Sequence, residues 1–309
     1  VLIRMNGGTA MMRILGIVGV QICICVPIIV FQFCKGKEFF SKEYWGYALR
    51  IGIPIVPHYL SGIILNQGDR IMIDKMVGKT EVALYGLAYS IGMLVQLFIS
   101  GMNSALTPWM YSKIKKGDIR SMRKVLQLLS IVVVGIAVAL MLISPELVLI
   151  FGSPKYREAV YVIPPVAASV FFIFIYNILS MPQFYYEKTQ FLMAASMAAA
   201  GANVVLNFIF IHLFGYIAAG YTTLACYMLY SVGHYIVSKR ILVNEGIQEN
   251  LMNPGFLLAC SVFLIGASII CNLIFPYRIL RYAILLASAG LVFWKKELLL
   301  KTMADIRKK

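Results

Sequence analysis

Residues 66–75 read NQGDRIMIDK. Asp69, Arg70, Asp74 and Lys75 concentrate charge between two long apolar runs, 51–65 and the stretch beginning at Val82. A carboxylate placed this way can hold a neighbouring guanidinium, or take up a cation or a proton. A guanidinium facing a wet cavity suits phosphate, because its fork of donors matches phosphate oxygens. This is binding chemistry, not bond-breaking chemistry. The histidines, His58, His212 and His234, lie far apart and lack ligand spacing such as H-x-x-x-H, and no nucleophile–base pair is visible. The sequence is therefore read as a non-enzyme without a metal centre. Cys23 and Cys25 could hold a soft metal. All six cysteines fall in or at the edge of apolar runs, which favours an apolar role and argues against a disulfide framework.

The elements that must position these residues are membrane spans. The chain is 61% hydrophobic and 13% charged, against about 25% charged in soluble domains. Nine runs are long and apolar enough to cross a bilayer, at 14–34, 50–75, 82–107, 126–151, 159–182, 190–213, 216–238, 255–275 and 277–294. Their length fits helices, because lipid leaves backbone groups to pair within the segment, and does not fit the short alternating strands of a barrel. The expected fold is an all-α polytopic transmembrane bundle. The net charge of +15 does not point to nucleic acid: 19 of the 28 Lys and Arg fall on one side if the ends of spans 1, 3, 5, 7 and 9 face the cytoplasm. That orientation places the basic 295–309 tail and the C-terminus in the cytoplasm and Val1 outside. A chain beginning outside without Met reads as a fragment lacking an odd number of upstream spans.

On a helical wheel the residues around NQGDRIMIDK are ordered. His58, Tyr59, Gly62, Asn66, Gln67, Asp69, Arg70 and Asp74 share one polar wedge, while Lys75 points away. An ionised residue at the bilayer centre costs roughly 2.5–3.5 kcal/mol, so it faces a wet cavity or a partner. Asp69 and Asp74 are the expected partners of Arg70. Two readings stay open here: a pathway lining, or a lock between span 2 and a neighbouring helix. Elsewhere, Pro54 and Pro57 predict a kink early in span 2. Ala194, Ala198 and Ala202, with Asn203 and Asn207, predict a close helix contact for span 6. Trp45, Trp109, Tyr185 and Trp294 fit an aromatic belt. Glu146 and Glu158 are expected to meet Lys155 or Arg157 at a turn.

Several stretches carry a family resemblance. "YALRIGIPIVPHYLSGIILNQGDRIMIDKMVG" (47–78), "EVALYGLAYSIG" (81–92), "ALTPWMYSKIKKGD" (105–118) and "NFIFIHLFGYIAAGYTTLACY" (207–227) resemble the second half of bacterial polysaccharide flippases. These are the Wzx-type O-antigen and capsule repeat-unit flippases of the multidrug/oligosaccharidyl-lipid/polysaccharide (MOP) exporter superfamily. "SPELVLIFG" (144–152) and "YVIPPVAASVFF" (161–172) fit the same pattern, and the resemblance covers roughly residues 40–240. It implies two six-helix lobes around a central cavity, as in MATE-like transporters. On that pattern residues 1–40 are the last helix of a first lobe, 41–240 the second lobe, and 241–309 two extra helices with a basic tail.

The resemblance also implies an activity. Such proteins move undecaprenyl-diphosphate-linked oligosaccharides across the bacterial cytoplasmic membrane by alternating access. The implied partners are the lipid-linked oligosaccharide, membrane lipids and other polysaccharide assembly proteins. Arg70 would attract the diphosphate or acidic sugars. Asp69 and Asp74 would hold Arg70 or couple to a proton or sodium. Asn66, Gln67 and His58 would contact sugar hydroxyls, with Tyr59 beside them on the wedge. Lys113, Lys115 and Lys116 would attract anionic head groups or simply set topology. No cofactor is implied beyond coupling to a proton, sodium or the membrane potential. The rival within the superfamily is a drug/cation antiporter. A polysaccharide polymerase or glycosyltransferase is the less favoured alternative, because the loops on the outer side are very short.

Overall fold

A computed structural model describes residues 10–37 and 40–294. The elements are α1 (Ala10–Gly36), α2 (Lys42–Met76), α3 (Lys79–Gly92), α4 (Leu94–Lys115), α5 (Ile119–Phe151), a 3-10 helix (Pro154–Val162), α6 (Ile163–Tyr185), α7 (Thr189–Phe214), α8 (Ala218–Asn244), α9 (Pro254–Ile274) and α10 (Arg278–Trp294). Among the described residues there is no strand, so the expected all-α polytopic bundle is the observed one. The 295–309 tail lies outside the described residues.

Among the described residues, seven segments are long and apolar enough to span a membrane. Two of the nine expected spans are not among them, though both are helices. In α8 the polar residues Thr222, Thr223, Ser231, His234 and Ser238 turn inward and lower the mean hydropathy. In α10 the helix is described over only 17 residues. Span 3 is broken at Met93, whose N–H still bonds the Tyr89 carbonyl at 2.9 Å, so α3 and α4 meet at a local interruption. Span 5 opens as a 3-10 helix before it becomes α6.

The chain divides into two compact units, Val1–Gly52 and Ile53–Lys309. The first contains α1, whose apolar side chains are exposed on every face. A helix that is apolar all round does not face water. The second unit is built around α6. Its span window is 89% buried, and it packs most closely on α8, then on α5 and α4.

Close approach explains that packing. A Cβ added at Gly220 of α8 would sit 3.1 Å from Pro165 Cγ and 3.3 Å from the Val162 carbonyl oxygen. At Gly92, where α3 meets α6, an added Cβ would lie 2.6 Å from Val166 Cγ1. At Gly92 the neighbour occupies the space a side chain would need, and at Gly220 it would have to give by a few tenths of an ångström. The Ser231 hydroxyl of α8 also donates to the Phe172 carbonyl of α6 at 2.9 Å.

The small-residue stripe of α7 is rotated from its expected position. Ala194 and Ala198 are exposed and Ala202 is half-buried, whereas Ser196, Ala199, Ala200, Asn203 and Asn207 are buried. The Asn pair, not the alanine line, marks the contact face.

Candidate functional site

NQGDRIMIDK is helical throughout, inside α2, which runs uninterrupted through Pro54 and Pro57. The wedge therefore exists as a helix face. The structure divides it into a buried part and a less buried part.

The buried part centres on Asp69, which has no solvent exposure. Three side chains donate to its carboxylate: the Tyr85 hydroxyl, the Thr223 hydroxyl at 2.6 Å, and the Asn207 amide at 2.5 Å. Asn207 also donates to the Asn203 side-chain oxygen at 3.1 Å, and its own oxygen accepts from Thr222. One turn earlier, Asn66 accepts from Tyr89 at 2.8 Å and from Tyr227 at 3.3 Å, while its amide donates to the Gly62 carbonyl at 2.7 Å. A carboxylate stripped of water needs replacement donors. Here α3, α7 and α8 supply them to α2. The pattern follows from helix geometry: Asn66 and Asp69, like Asn203 and Asn207, are three or four residues apart and so share a face.

The less buried part begins at Arg70, which is half-buried. Its guanidinium donates to Gln67 at 2.9 Å and lies over the Tyr89 ring at 5.3 Å from the centroid. Among the described residues Arg70 enters no ion pair. Asp69 is committed to its hydroxyl and amide donors, and Asp74 is exposed and enters no ion pair. The expected pairing of Arg70 with these two carboxylates is thus not made. Its Nε is buried without a partner. Gln67 is its one side-chain hydrogen-bond partner among the described residues, which leaves other guanidinium donors for an anion. Gln67 and Tyr59 are exposed on the same helix. His58 is half-buried, with its Nδ1 3.1 Å from the Tyr230 hydroxyl and its ring edge-on to Phe184 at 6.3 Å. From Tyr230 an aromatic array continues through Tyr176 and His234, and His234 Nδ1 lies 2.8 Å from Gln183.

The sequence reading found Asp69, Asn66 and the Asn203/Asn207 pair, but not Tyr85, Tyr89, Thr223 or Tyr227. The available signal was the carboxylate itself: a buried Asp demands several donors, and hydroxyls in apolar spans are the local supply. Two other expectations change. Glu146 pairs with Arg281, at 2.8 Å through both oxygens, and not with Lys155 or Arg157. Lys113 is buried and bonded to Asp118 at 2.7 Å, which removes it from the basic loop surface. Its partner Asp118 caps α5 by accepting from the Ser121 N–H.

Residues 7–115, which include NQGDRIMIDK, match a family model described as polysaccharide biosynthesis protein. The matching family is that of the polysaccharide biosynthesis proteins. A protein of the Lsg locus of Haemophilus influenzae is 29% identical over 172 residues, covering 52% of this chain and 41% of the relative. An uncharacterised membrane protein of the same organism is 29% identical over 167 residues, covering 50% of this chain and 40% of the relative. The chain thus spans about two fifths of the length of the curated relatives it matches. No solved structure matches it. Together with the seven apolar helices among the described residues, these similarities support a membrane protein whose residues 7–115 resemble the polysaccharide biosynthesis proteins.

Proposed function

We propose that the protein is a flippase of polysaccharide assembly. It carries an undecaprenyl-diphosphate-linked oligosaccharide across the cytoplasmic membrane by alternating access, without making or breaking a bond. The observation that carries this reading is Arg70: a guanidinium on the flank of a membrane helix, held by Gln67 and Tyr89 and paired with no carboxylate among the described residues. The diphosphate is its ligand, with Gln67, Tyr59, Asp74 and His58 as contacts for the sugars. Buried Asp69 and half-buried Asn66 form a second layer beside it. In this reading that layer is the coupling element. A carboxylate beside two hydroxyl oxygens, those of Tyr85 and Thr223, suits a proton or, with the hydroxyls turned, a hard monovalent cation such as sodium, which takes oxygen ligands. Its occupancy changes the fit of α2 against α3, α7 and α8, and so moves Arg70.

The test uses Arg70→Cys in an otherwise cysteine-free protein in its native host, with Lys75→Cys as control. A membrane-impermeant thiol reagent is expected to label position 70, the lipid-linked substrate to protect it, and surface polysaccharide to be lost. Labelling that substrate leaves unchanged at both positions, with export intact, refutes the reading. The Tyr176, Tyr227 and Tyr230 cluster, joined to the wedge by the Tyr227–Asn66 hydrogen bond, favours a second reading, a drug/cation antiporter, since aromatic faces attract organic cations. Efflux of a fluorescent cation that depends on Asp69 but not on Arg70 selects that alternative.

A further inference from the structure

A second charged feature lies away from Asp69 and Arg70. Where α5 ends, a recess of about 620 Å³ opens between the end of α5, the 3-10 helix, the end of α9 and the start of α10. Three guanidiniums line it, Arg157, Arg278 and Arg281, against two carboxylates, Glu146 and Glu158. Glu146 is already committed. It accepts two bonds at 2.8 Å from Arg281, whose terminal nitrogen also donates to the Leu142 carbonyl at 2.6 Å. Arg281 is 3% exposed and its Nε is buried without a partner. A guanidinium has five N–H donors; these bonds use three, and the one at Nε is among the two left over. Arg157 and Arg278 are exposed and enter no ion pair among the described residues. Arg278 lies over the Tyr282 ring, 5.5 Å from its centroid.

The recess is thus basic at the mouth, with only Glu158 opposing. Its walls are apolar: Leu149, Tyr161 and Phe275 line it. Ile150 and Ile279 stand exposed nearby, at 71% and 87%. In position, it sits at the ends of membrane helices, where a bilayer changes from hydrocarbon to head groups. A site that is apolar toward the hydrocarbon and bears guanidiniums at its mouth fits one kind of ligand. We propose that this recess binds an anionic phospholipid, its phosphate on Arg157 and Arg278 above the Arg281–Glu146 pair and its acyl chain along Leu149 and Tyr161. Phosphate is the shared chemistry; the apolar wall selects a lipid over the free ion. The proposal is independent of the function assigned to Arg70.

The experiment titrates the purified protein with phosphatidylglycerol, with phosphatidylcholine of the same chains, and with inorganic phosphate, reading bound adducts by native mass spectrometry. Phosphatidylglycerol is expected to bind several-fold more tightly than phosphatidylcholine. Arg157→Gln and Arg278→Gln should each weaken it about fivefold, the worth of one basic residue at an anionic membrane surface. Glu158→Gln should strengthen it, an effect that loss of folding cannot imitate. The proposal is overturned if the preference for phosphatidylglycerol survives the double Arg157→Gln, Arg278→Gln variant. It is equally overturned if inorganic phosphate binds as tightly as the lipid and displaces it, since the apolar wall then contributes nothing.

Discussion

Removal of the Asp69 carboxylate tests whether one side chain holds four helices together. Asp69→Ala strands three buried donors, from Tyr85, Asn207 and Thr223, on three different helices. An orphaned buried donor costs about 1–3 kcal/mol in soluble proteins. Hydrogen bonds between membrane helices are worth less, about 0.6 kcal/mol on average and 1.7 at most, because displaced groups find other partners. Such partners are at hand here: Asn207 also faces Asn203 at 3.1 Å. Three bonds on the membrane scale give a loss of about 2–5 kcal/mol. Asp69→Asn keeps an oxygen for Tyr85 and Thr223 but turns an amide donor toward Asn207, which must flip. It should cost about 1–2 kcal/mol. Tyr85→Phe removes one donor and leaves two, at about 1 kcal/mol. The order Ala, Asn, Phe can be read from reversible unfolding in mixed micelles on raising the denaturing detergent. If Asp69→Ala is as stable as wild type, or no worse than Tyr85→Phe, the carboxylate is not the hub described here.

Other outcomes follow from separate contacts. Gly92→Ala forces a methyl against Val166 Cγ1 at 2.6 Å and should destabilise by about 1–3 kcal/mol; an unchanged melting temperature would mean that α3 slides freely on α6. Glu146→Gln leaves Arg281 without its charged partner and should cost about 1–3 kcal/mol, discounted because the glutamate is partly exposed. The double variant Glu146→Leu, Arg281→Met should recover most of that loss in the same unfolding measurement, and failure to recover would mean that the pair does more than neutralise itself. Arg120→Ala removes a 2.6 Å contact to Glu249, but Arg120 is exposed, so the change should stay below about 1 kcal/mol.

Composition and period were enough to read the fold class, because a bilayer admits few solutions and apolar runs of span length leave little else. The wedge on α2 was also legible, since the 3.6-residue repeat orders side chains whether or not their partners are known. The partners themselves were not. Thr223 and Tyr227 look like ordinary members of an apolar run, and only the tertiary contact gives them a role. The same limit explains Glu146: Arg281 lies 135 residues away, so local spacing offered Lys155 and Arg157 instead. The division of the wedge into buried Asp69 and half-buried Arg70 depends on where α3, α7 and α8 pack, which a single helix cannot encode. For the same reason the stripe in α7 was placed on the wrong residues: Ala194, Ala198 and Asn203 all fit a helical repeat, and only the neighbours decide which line is inside.

The Asp69 cluster also sets a timetable for biogenesis. Tyr85 follows Asp69 by 16 residues, but Asn207 follows by 138 and Thr223 by 154. At roughly 5–20 residues per second of synthesis, the carboxylate waits for roughly 8–31 seconds before its last partner is synthesised. During that interval α2, whose span window averages a hydropathy of only 1.4, must enter the bilayer with a half-satisfied carboxylate or stay beside the insertion machinery. The residue that ties the finished bundle together thus burdens its own helix at insertion, so depletion of an insertase should strike this segment before the more apolar ones that follow it.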